Sequence, residues 1–465
     1  LRAVFSFETA FLLFLFAGRY KANPFVMAVL PTDPVIIFGA LSIAAGVWVI
    51  STERLYIPGY IAVASFCVFL VWMWMSLSWT PGFVYARLKV LEVTFFDTWA
   101  LIAGGMIIAN SRERCQRFFI LLNVFALILA IQVLLEYIRQ GPGRIILING
   151  GDGYLGYGRV CGLAAMTLFA YLAAKPRLMS KTGLMIMALL TFYVWVLLFG
   201  GGKGPLIAAL VPLALVFPLG FSIRGRRIGI QRGHLLMIGG LIAAIGAILW
   251  VIFDPDMAGK ATTINRFATL FSDNQGVSDR RRTMQIWEFI TLGEEAAIFG
   301  QGIGAWPILT YGADIRHHPH SLPLEIIGEL GAVGLVLFGI TCFACLRLIT
   351  LERLRQDALL LGAFLMTLNM ALNAGTSGDL GENRYLFFTM GLLLVRPLWG
   401  GRAAALFADT RDHDCPDDSE AENDITLPDW EDDRQGFLAI RRRLSLACAD
   451  DGVAVGRSTV SSSTL

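Results

Sequence analysis

Three of the chain's five histidines fall within four residues, His317, His318 and His320 around Pro319, and Glu325 and Glu329 follow in an apolar stretch. Imidazoles and carboxylates at this spacing suit a metal site, a general base at a membrane surface, or a solvated loop. Pro319 blocks a regular helix through the histidines, and adjacent side chains diverge in an extended segment. No cysteine or carboxylate stands beside them to complete a four-ligand set, so neither a metal nor another cofactor is expected. The base reading depends on the residues just downstream. Ser321 can cap a helix with Pro323 in its first turn, where a missing N–H costs nothing. His320 then sits just ahead of a helix N-terminus, whose partial positive charge opposes protonation of an imidazole and suits a phosphate. Glu329 lies about 10 Å along that helix, where an ionised carboxylate needs a cavity or a cation. Glu325 is one turn earlier on the same face, placed either to join it or to reach the interface.

Cations for such a site occur elsewhere in the sequence. Arg280, Arg281 and Arg282 open a stretch that reads as an amphipathic helix, with Ser278 as N-cap and Met284, Ile286, Trp287 and Ile290 as apolar anchors. Lys203 lies in the tight hairpin Gly200-Gly201-Gly202-Lys203-Gly204, and Arg159 lies at the mouth of an apolar segment. Together they suit a polyanionic substrate arriving from the bilayer.

The elements that must position these residues are membrane spans. Of 465 residues, 56% are hydrophobic and 16% charged, with a mean hydropathy of +0.63; soluble chains carry about a quarter charged residues. A net charge of +2 gives no reason to expect nucleic acid. Apolar runs near bilayer length recur at roughly 3–18, 34–50, 59–78, 93–110, 118–138, 160–174, 183–199, 205–221, 235–253, 322–346, 358–374 and 385–399. The sequence therefore predicts an all-α polytopic membrane protein of about twelve helices. No cleavable signal peptide is evident.

Arg112, Arg114 and Arg117 share one short loop. Lys175, Arg177 and Lys181 share another, followed by Arg224, Arg226, Arg227 and Arg232, and by Arg347, Arg353 and Arg355. These loops alternate as one face should, and the excess of positive charge makes that face cytoplasmic. The long loop 254–321 then lies outside, at the periplasmic face, as do Arg19 and Lys21, which makes the first two spans the weakest part of the scheme. Residues 1–402 form the transmembrane domain, and 403–465, acidic and then basic, are expected to be a disordered cytoplasmic tail. Cys67, Cys342 and Cys345 fall in spans, Cys115 in a basic loop, Cys161 near the outer face, and Cys415 and Cys448 in the tail; all read as free thiols.

The segment Gly302-Ile303-Gly304 … His320-Ser321, Leu324, Glu329-Leu330-Gly331 resembles the signature of the O-antigen ligase and polymerase family of bacterial envelope proteins. The likeness extends to the hydropathy profile over roughly residues 5 to 400. It implies metal-independent glycosyl transfer at the periplasmic face of the bacterial inner membrane. The implied donor is an undecaprenyl-pyrophosphate-linked glycan, and the acceptor is a lipid A core sugar or the end of another glycan. The resemblance makes His320 the base that activates the acceptor hydroxyl, with cationic side chains holding the pyrophosphate. An S-R-G hairpin of the family is matched by Gly202-Lys203-Gly204, where lysine keeps the charge but loses the bidentate grip. An arginine four residues before a tryptophan is matched by Arg282, five before Trp287, with Arg281 and Arg280 as alternatives. Arg159 fits a looser Arg-x-x-Gly pattern. The contrasting reading is a secondary transporter or a flippase for lipid-linked oligosaccharide, which would place its charged residues within spans near the midplane. Asp97 is within the fourth span but near its expected outer end, and no inverted repeat is evident. A noncatalytic membrane scaffold would leave His320 without a purpose.

Overall fold

The computed structural model describes residues 6–394 apart from 22–23, 31, 54, 56–59, 149–152, 175–178, 217–220, 225–226, 231–245, 247–253, 255–259, 269–283, 285–296 and 348. The tail 403–465 lies outside the described residues, as do Arg280, Arg281 and Arg282. The same holds, single residues aside, for the expected span 235–253 and for the helix expected after Ser278.

In chain order the helices are α1 (Phe7–Leu15), α2 (Ala17–Tyr20), α3 (Pro24–Val29), α4 (Pro34–Thr52), α5 (Tyr60–Met75) and α6 (Val84–Ile108). They continue with α7 (Arg112–Gln140), α8 (Tyr154–Ala174), α9 (Lys181–Phe199) and α10 (Lys203–Val216). A short antiparallel hairpin follows, Phe221–Arg224 (β1) against Arg227–Ile230 (β2). The rest are α11 (Thr262–Ala268), α12 (Trp306–Tyr311), α13 (Leu322–Leu346), α14 (Leu351–Gln356), α15 (Ala358–Thr376) and α16 (Arg384–Leu392). Among the described helices, eight are long and apolar enough to cross a membrane. The chain is a multi-pass helical membrane protein. Its surface agrees: Trp48, Ile120, Leu135, Ile138 and Phe343 are each more than 60% exposed, a face that only lipid accommodates. The five described cysteines are free thiols.

Lipid tails are as apolar as leucine, so close packing rather than water exclusion holds such helices together. Glycines allow it where α6 meets α16. A Cβ at Gly104 would lie 2.5 Å from the Phe388 carbonyl, and one at Gly391 would lie 2.4 Å from that of Leu101. Beside this seam Phe388 packs on Phe11 and Phe118 at 5.1 and 4.7 Å between ring centroids.

One end of the bundle is fastened by arginines of the basic loops. Arg114 pairs with Glu8 at 3.3 Å and with Glu53, and Arg117 reaches Glu8 at 3.1 Å. Arg112 reaches Asp357, the N-cap of α15, at 3.2 Å. Glu8 opens α1 and Glu53 follows α4, so these two helices run antiparallel, as the weakest part of the sequence scheme requires. Arg19 and Lys21 fall at the other end. Lys21 pairs with Asp33 at 2.5 Å, and the Arg19 guanidinium occupies the space a Cβ at Gly156 would need.

Two helices depart from the expected spans in ways that shape the site. The fourth span starts at Val84 rather than 93, because Arg87, Lys89 and Glu92 lower the hydropathy of turns that are nonetheless helical. Asp97 therefore lies about 20 Å along the helix instead of near its outer end. It sits in one of two π-helical turns, Val93–Asp97 and Ala103–Ile108. The second departure is a break in α13 at Gly331, with φ 70° and ψ −170°, which the sequence reads as continuous. Glu329-Leu330-Gly331 is thus a break within the span. A broken helix frees backbone groups that lipid cannot satisfy. Here the glycine-rich segment fills the gap. Gln301 and Gly302 donate N–H groups to the carbonyls of Gly328 and Glu329, and Ala332 and Val333 donate to those of Ala297 and Ile298, all between 2.9 and 3.2 Å. The Trp72 indole N–H takes the Leu330 carbonyl at 2.9 Å. Gly302 must be glycine: its φ is 94°, and a Cβ would lie 2.5 Å from Thr80 Cα.

Candidate functional site

α13 starts at Leu322 with Ser321 at the cap position and proline in the first turn, as the sequence indicates, although the Ser321 side chain makes no capping bond. Just before it, His320 has φ 56°, alone among the described non-glycine residues in being positive. Such a backbone costs about 1–3 kcal/mol and persists only where its surroundings impose it. Its effect is to bring together side chains that an extended chain would separate. The ring centroids of His318 and His320 are 4.6 Å apart, edge to face, and that of His317 is 5.8 Å from His320. The adjacent rings of His317 and His318 stay 6.3 Å apart, while His318 and His320, two residues apart, form the closest pair. His317 packs edge-on against Tyr311 at 4.8 Å.

Two clasps hold the histidine loop to α6. Asp314 accepts the N–H groups of Phe83 and Val84 on Oδ2 at 2.9 and 2.8 Å, and that of Tyr85 on Oδ1 at 3.0 Å. The carboxylate thus satisfies the orphan donors of the α6 N-terminus. Burial opposes ionisation of Asp314, but these three N–H groups outweigh it and hold the carboxyl below its ordinary range. Arg316 bridges Glu92 at 3.2 Å and Glu382 at 3.0 Å. Desolvation works against that guanidinium, and the two carboxylates more than restore its charge. A cavity of about 90 Å³ lies between the clasps.

Beneath the loop is a charged core. Lys89 of α6 is fully buried, and its ammonium meets Glu325 Oε1 and, at 2.5 Å, Glu329 Oε2. The i, i+4 spacing puts both carboxylates on one face of α13, and one lysine answers both. The cation predicted for Glu329 thus exists among the described residues, and it is Lys89. Glu325 does not reach the interface; it is 1% exposed. Its Oε2 accepts the Leu380 N–H at 2.8 Å, which ties α13 to the α15–α16 connection. Two carboxyl groups share one ammonium in a dry environment, and Glu329 Oε1 has no hydrogen-bond partner.

The 376–383 connection is where the site's parts meet. Asp379, buried, presents Oδ2 to His318 Nδ1 at 3.5 Å and accepts the Tyr85 hydroxyl at 3.2 Å. Its Oδ1 takes the Glu382 N–H at 2.7 Å. Arg159 donates to the Ser377 carbonyl. A Cβ on Gly204, next to Lys203, would lie 3.0 Å from Thr376 Oγ1. Arg159 thus reaches the connection that carries Asp379, and the backbone beside Lys203 packs against the end of α15 that leads into it. His318, outside the spans, is pushed down to about 3 by burial and by the neighbouring His320, so it is a neutral imidazole at physiological pH.

The sequence reading missed Lys89, Asp379 and Tyr85. Lys89 sits in Arg87-Leu88-Lys89-Val90-Leu91-Glu92, which looks like a charged approach to a span, and Asp379 in Thr376-Ser377-Gly378-Asp379-Leu380-Gly381-Glu382-Asn383, which looks like an ordinary polar turn. The available signal was an acidic turn between two spans on the same expected face as the histidines. Among the described residues no group of three metal-ligating side chains is arranged to hold an ion. Compared with family models and with curated proteins, the chain gives no match.

Proposed function

We propose that this protein transfers a glycan from an undecaprenyl-pyrophosphate carrier to a sugar hydroxyl, at the periplasmic face of a bacterial inner membrane. The acceptor is a lipid A core sugar in a ligase, or a growing O-antigen or exopolysaccharide chain in a polymerase. The observation that carries this reading is the meeting of the imidazole pair and the Arg159 guanidinium at one connection at one end of the bundle, with His320 directly before the α13 N-terminus. His320 takes the proton of the acceptor hydroxyl. The oxygen attacks the anomeric carbon, the bond from that carbon to the phosphate oxygen breaks, and the electron pair leaves on the pyrophosphate. Fixed positive charge must meet that developing negative charge, a role for Arg159 and Lys203 together with Arg280, Arg281 or Arg282. The resemblance of the Gly302 to Gly331 segment to the O-antigen ligase and polymerase signature supports the same assignment.

The test is transfer by purified protein reconstituted with an undecaprenyl-pyrophosphate glycan in EDTA, with lipid A core and free glycan as separate acceptors. Transfer should survive chelation and disappear in His320→Ala; undiminished transfer by that variant removes the assigned base. Cysteine labelling at Ala313 checks the orientation, and reaction only from the cytoplasmic side inverts it.

A transporter or flippase for lipid-linked glycan is favoured by two specific observations. α13 is broken beside a buried Lys–Glu cluster, and Asp97 lies deep in α6 with neither carboxylate oxygen hydrogen-bonded. Movement of the lipid-linked glycan across vesicles lacking any acceptor would support that reading over transfer.

A further inference from the structure

If the glycosyl-transfer reading holds, on which this inference rests, the base needs more than a place before a helix. A neutral imidazole has two tautomers, and only the one whose lone pair faces the acceptor hydroxyl can take its proton. Elsewhere a carboxylate fixes that choice through a hydrogen bond to the other ring nitrogen. In this chain the buried carboxylate next to the imidazoles is Asp379, and the ring it meets is His318, not His320.

We propose that Asp379 and His318 are positioning residues for His320, forming an ordered chain of carboxylate, imidazole and catalytic imidazole. Asp379 Oδ2 accepts the Nδ1–H of His318, which leaves His318 Nε2 as an acceptor for a ring N–H of His320. The remaining nitrogen of His320 then carries its lone pair towards the acceptor hydroxyl. When that nitrogen takes the hydroxyl proton, the positive charge on His320 is felt by Asp379 through His318. The acceptor oxygen gains the glycosyl group, the pyrophosphate leaves with the electron pair, and the proton is released from His320 to solvent after product departs.

Three features of the geometry suit this arrangement. The ring centroids of His318 and His320 are 4.6 Å apart, close enough that a rotation of the His320 side chain brings an N–H of one ring to a ring nitrogen of the other. Asp379 is fixed independently of the histidines, by the Tyr85 hydroxyl at 3.2 Å and the Glu382 N–H at 2.7 Å, and its loop is held through Leu380 to Glu325. The left-handed backbone at His320 is a local cost that this contact explains, because it swings His320 back towards His318. His317 packs on Tyr311 instead, with its ring 6.3 Å from that of His318. The titratable groups facing the pair are His317 on the same loop, Tyr85 and Lys89 on α6, Glu325 on α13, and Asp379 and Glu382 on the connection.

The experiment is a pH profile of kcat and KM for transfer by the full-length protein, with Asp379→Asn, His318→Gln, Tyr85→Phe and His320→Ala compared. Asp379→Asn and His318→Gln should each lower kcat about 10-fold or more with KM nearly unchanged. In Asp379→Asn the acid limb of the profile should also move to lower pH, because the carboxylate that favours a protonated His320 is gone. Tyr85→Phe, which leaves the fold's charges in place, should give a smaller effect on kcat. Unchanged acid limbs in Asp379→Asn and Tyr85→Phe, with His320→Ala inactive, would overturn this inference and leave the transfer reading standing. An active His320→Ala would instead remove the transfer reading itself.

Discussion

The two ends of the bundle are both laced with charge, yet they use it differently. At one end Arg112, Arg114 and Arg117 join Glu8, Glu53 and Asp357 across three helices and the cap of a fourth. Arg112, Arg117 and Glu53 there are about half exposed, so water shares the cost of those charges, while Arg114, Glu8 and Asp357 are buried and answered by them. At the other end Lys89, Glu325, Glu329 and Asp379 are almost completely buried, next to imidazoles and a strained backbone. Exposed arginine staples hold helices together cheaply. A dry lysine with two carboxylates is a poor way to gain stability, since well-packed apolar residues would do as well. The contrast fits a stabilising role for the first end and, under the proposed function, a chemical role for the second.

The sharpest way to break that contrast is Lys89→Met. It strands two buried carboxylates and should cost about 3–5 kcal/mol, read as a large drop in thermal stability in detergent. Adding Glu325→Gln and Glu329→Gln to it should recover most of the stability while activity stays lost. If activity returns with stability, the buried cluster is only a staple.

Gly331→Ala comes next. Its φ of 70° and a Cβ only 2.2 Å from the Ile298 carbonyl would push the glycine-rich segment out of the break. A loss of about 1–3 kcal/mol from backbone strain, with contact repulsion added, should accompany reduced transfer. Glu8→Gln at the opposite end should cost about 1–3 kcal/mol and leave turnover per folded molecule unchanged. Reduced turnover there would show that the arginine end also reaches the site.

The smallest effect concerns Asp314. Its folded-state carboxyl titrates below the ordinary range, so its hold on α6 is complete above that range and is lost as pH falls through the lowered folded value. Hydrogen exchange at Phe83, Val84 and Tyr85, corrected for its intrinsic pH dependence, should quicken on acidification. Asp314→Asn should show the same quickening already at neutral pH.

Much of the bundle was readable from apolar run length, because crossing a bilayer imposes a fixed helical length. The spans at 34–50, 183–199, 322–346 and 358–374 match α4, α9, α13 and α15 within a few residues. The start of α6 was not readable, since Lys89 looks too polar to be buried until its partners on α13 are known. The break in α13 was not readable either. Glu329-Leu330-Gly331 is locally good helix sequence, and only the docking of 297–302 makes the interruption tolerable. For the site, the sequence marked His320, Glu329, Arg159 and Lys203, but it gave His318 no role of its own.

By itself, then, the sequence determined the membrane class, the main spans and the candidate residues, because hydropathy and helix signals are local properties of the chain. The tertiary structure decided which cation neutralises Glu325 and Glu329, which carboxylate faces the histidines, and where α13 breaks. Each of those depends on contacts between residues distant in sequence, from 27 positions for Gly302 and Glu329 at the break to 294 for Tyr85 and Asp379, and a buried charge persists only if the fold supplies its partner.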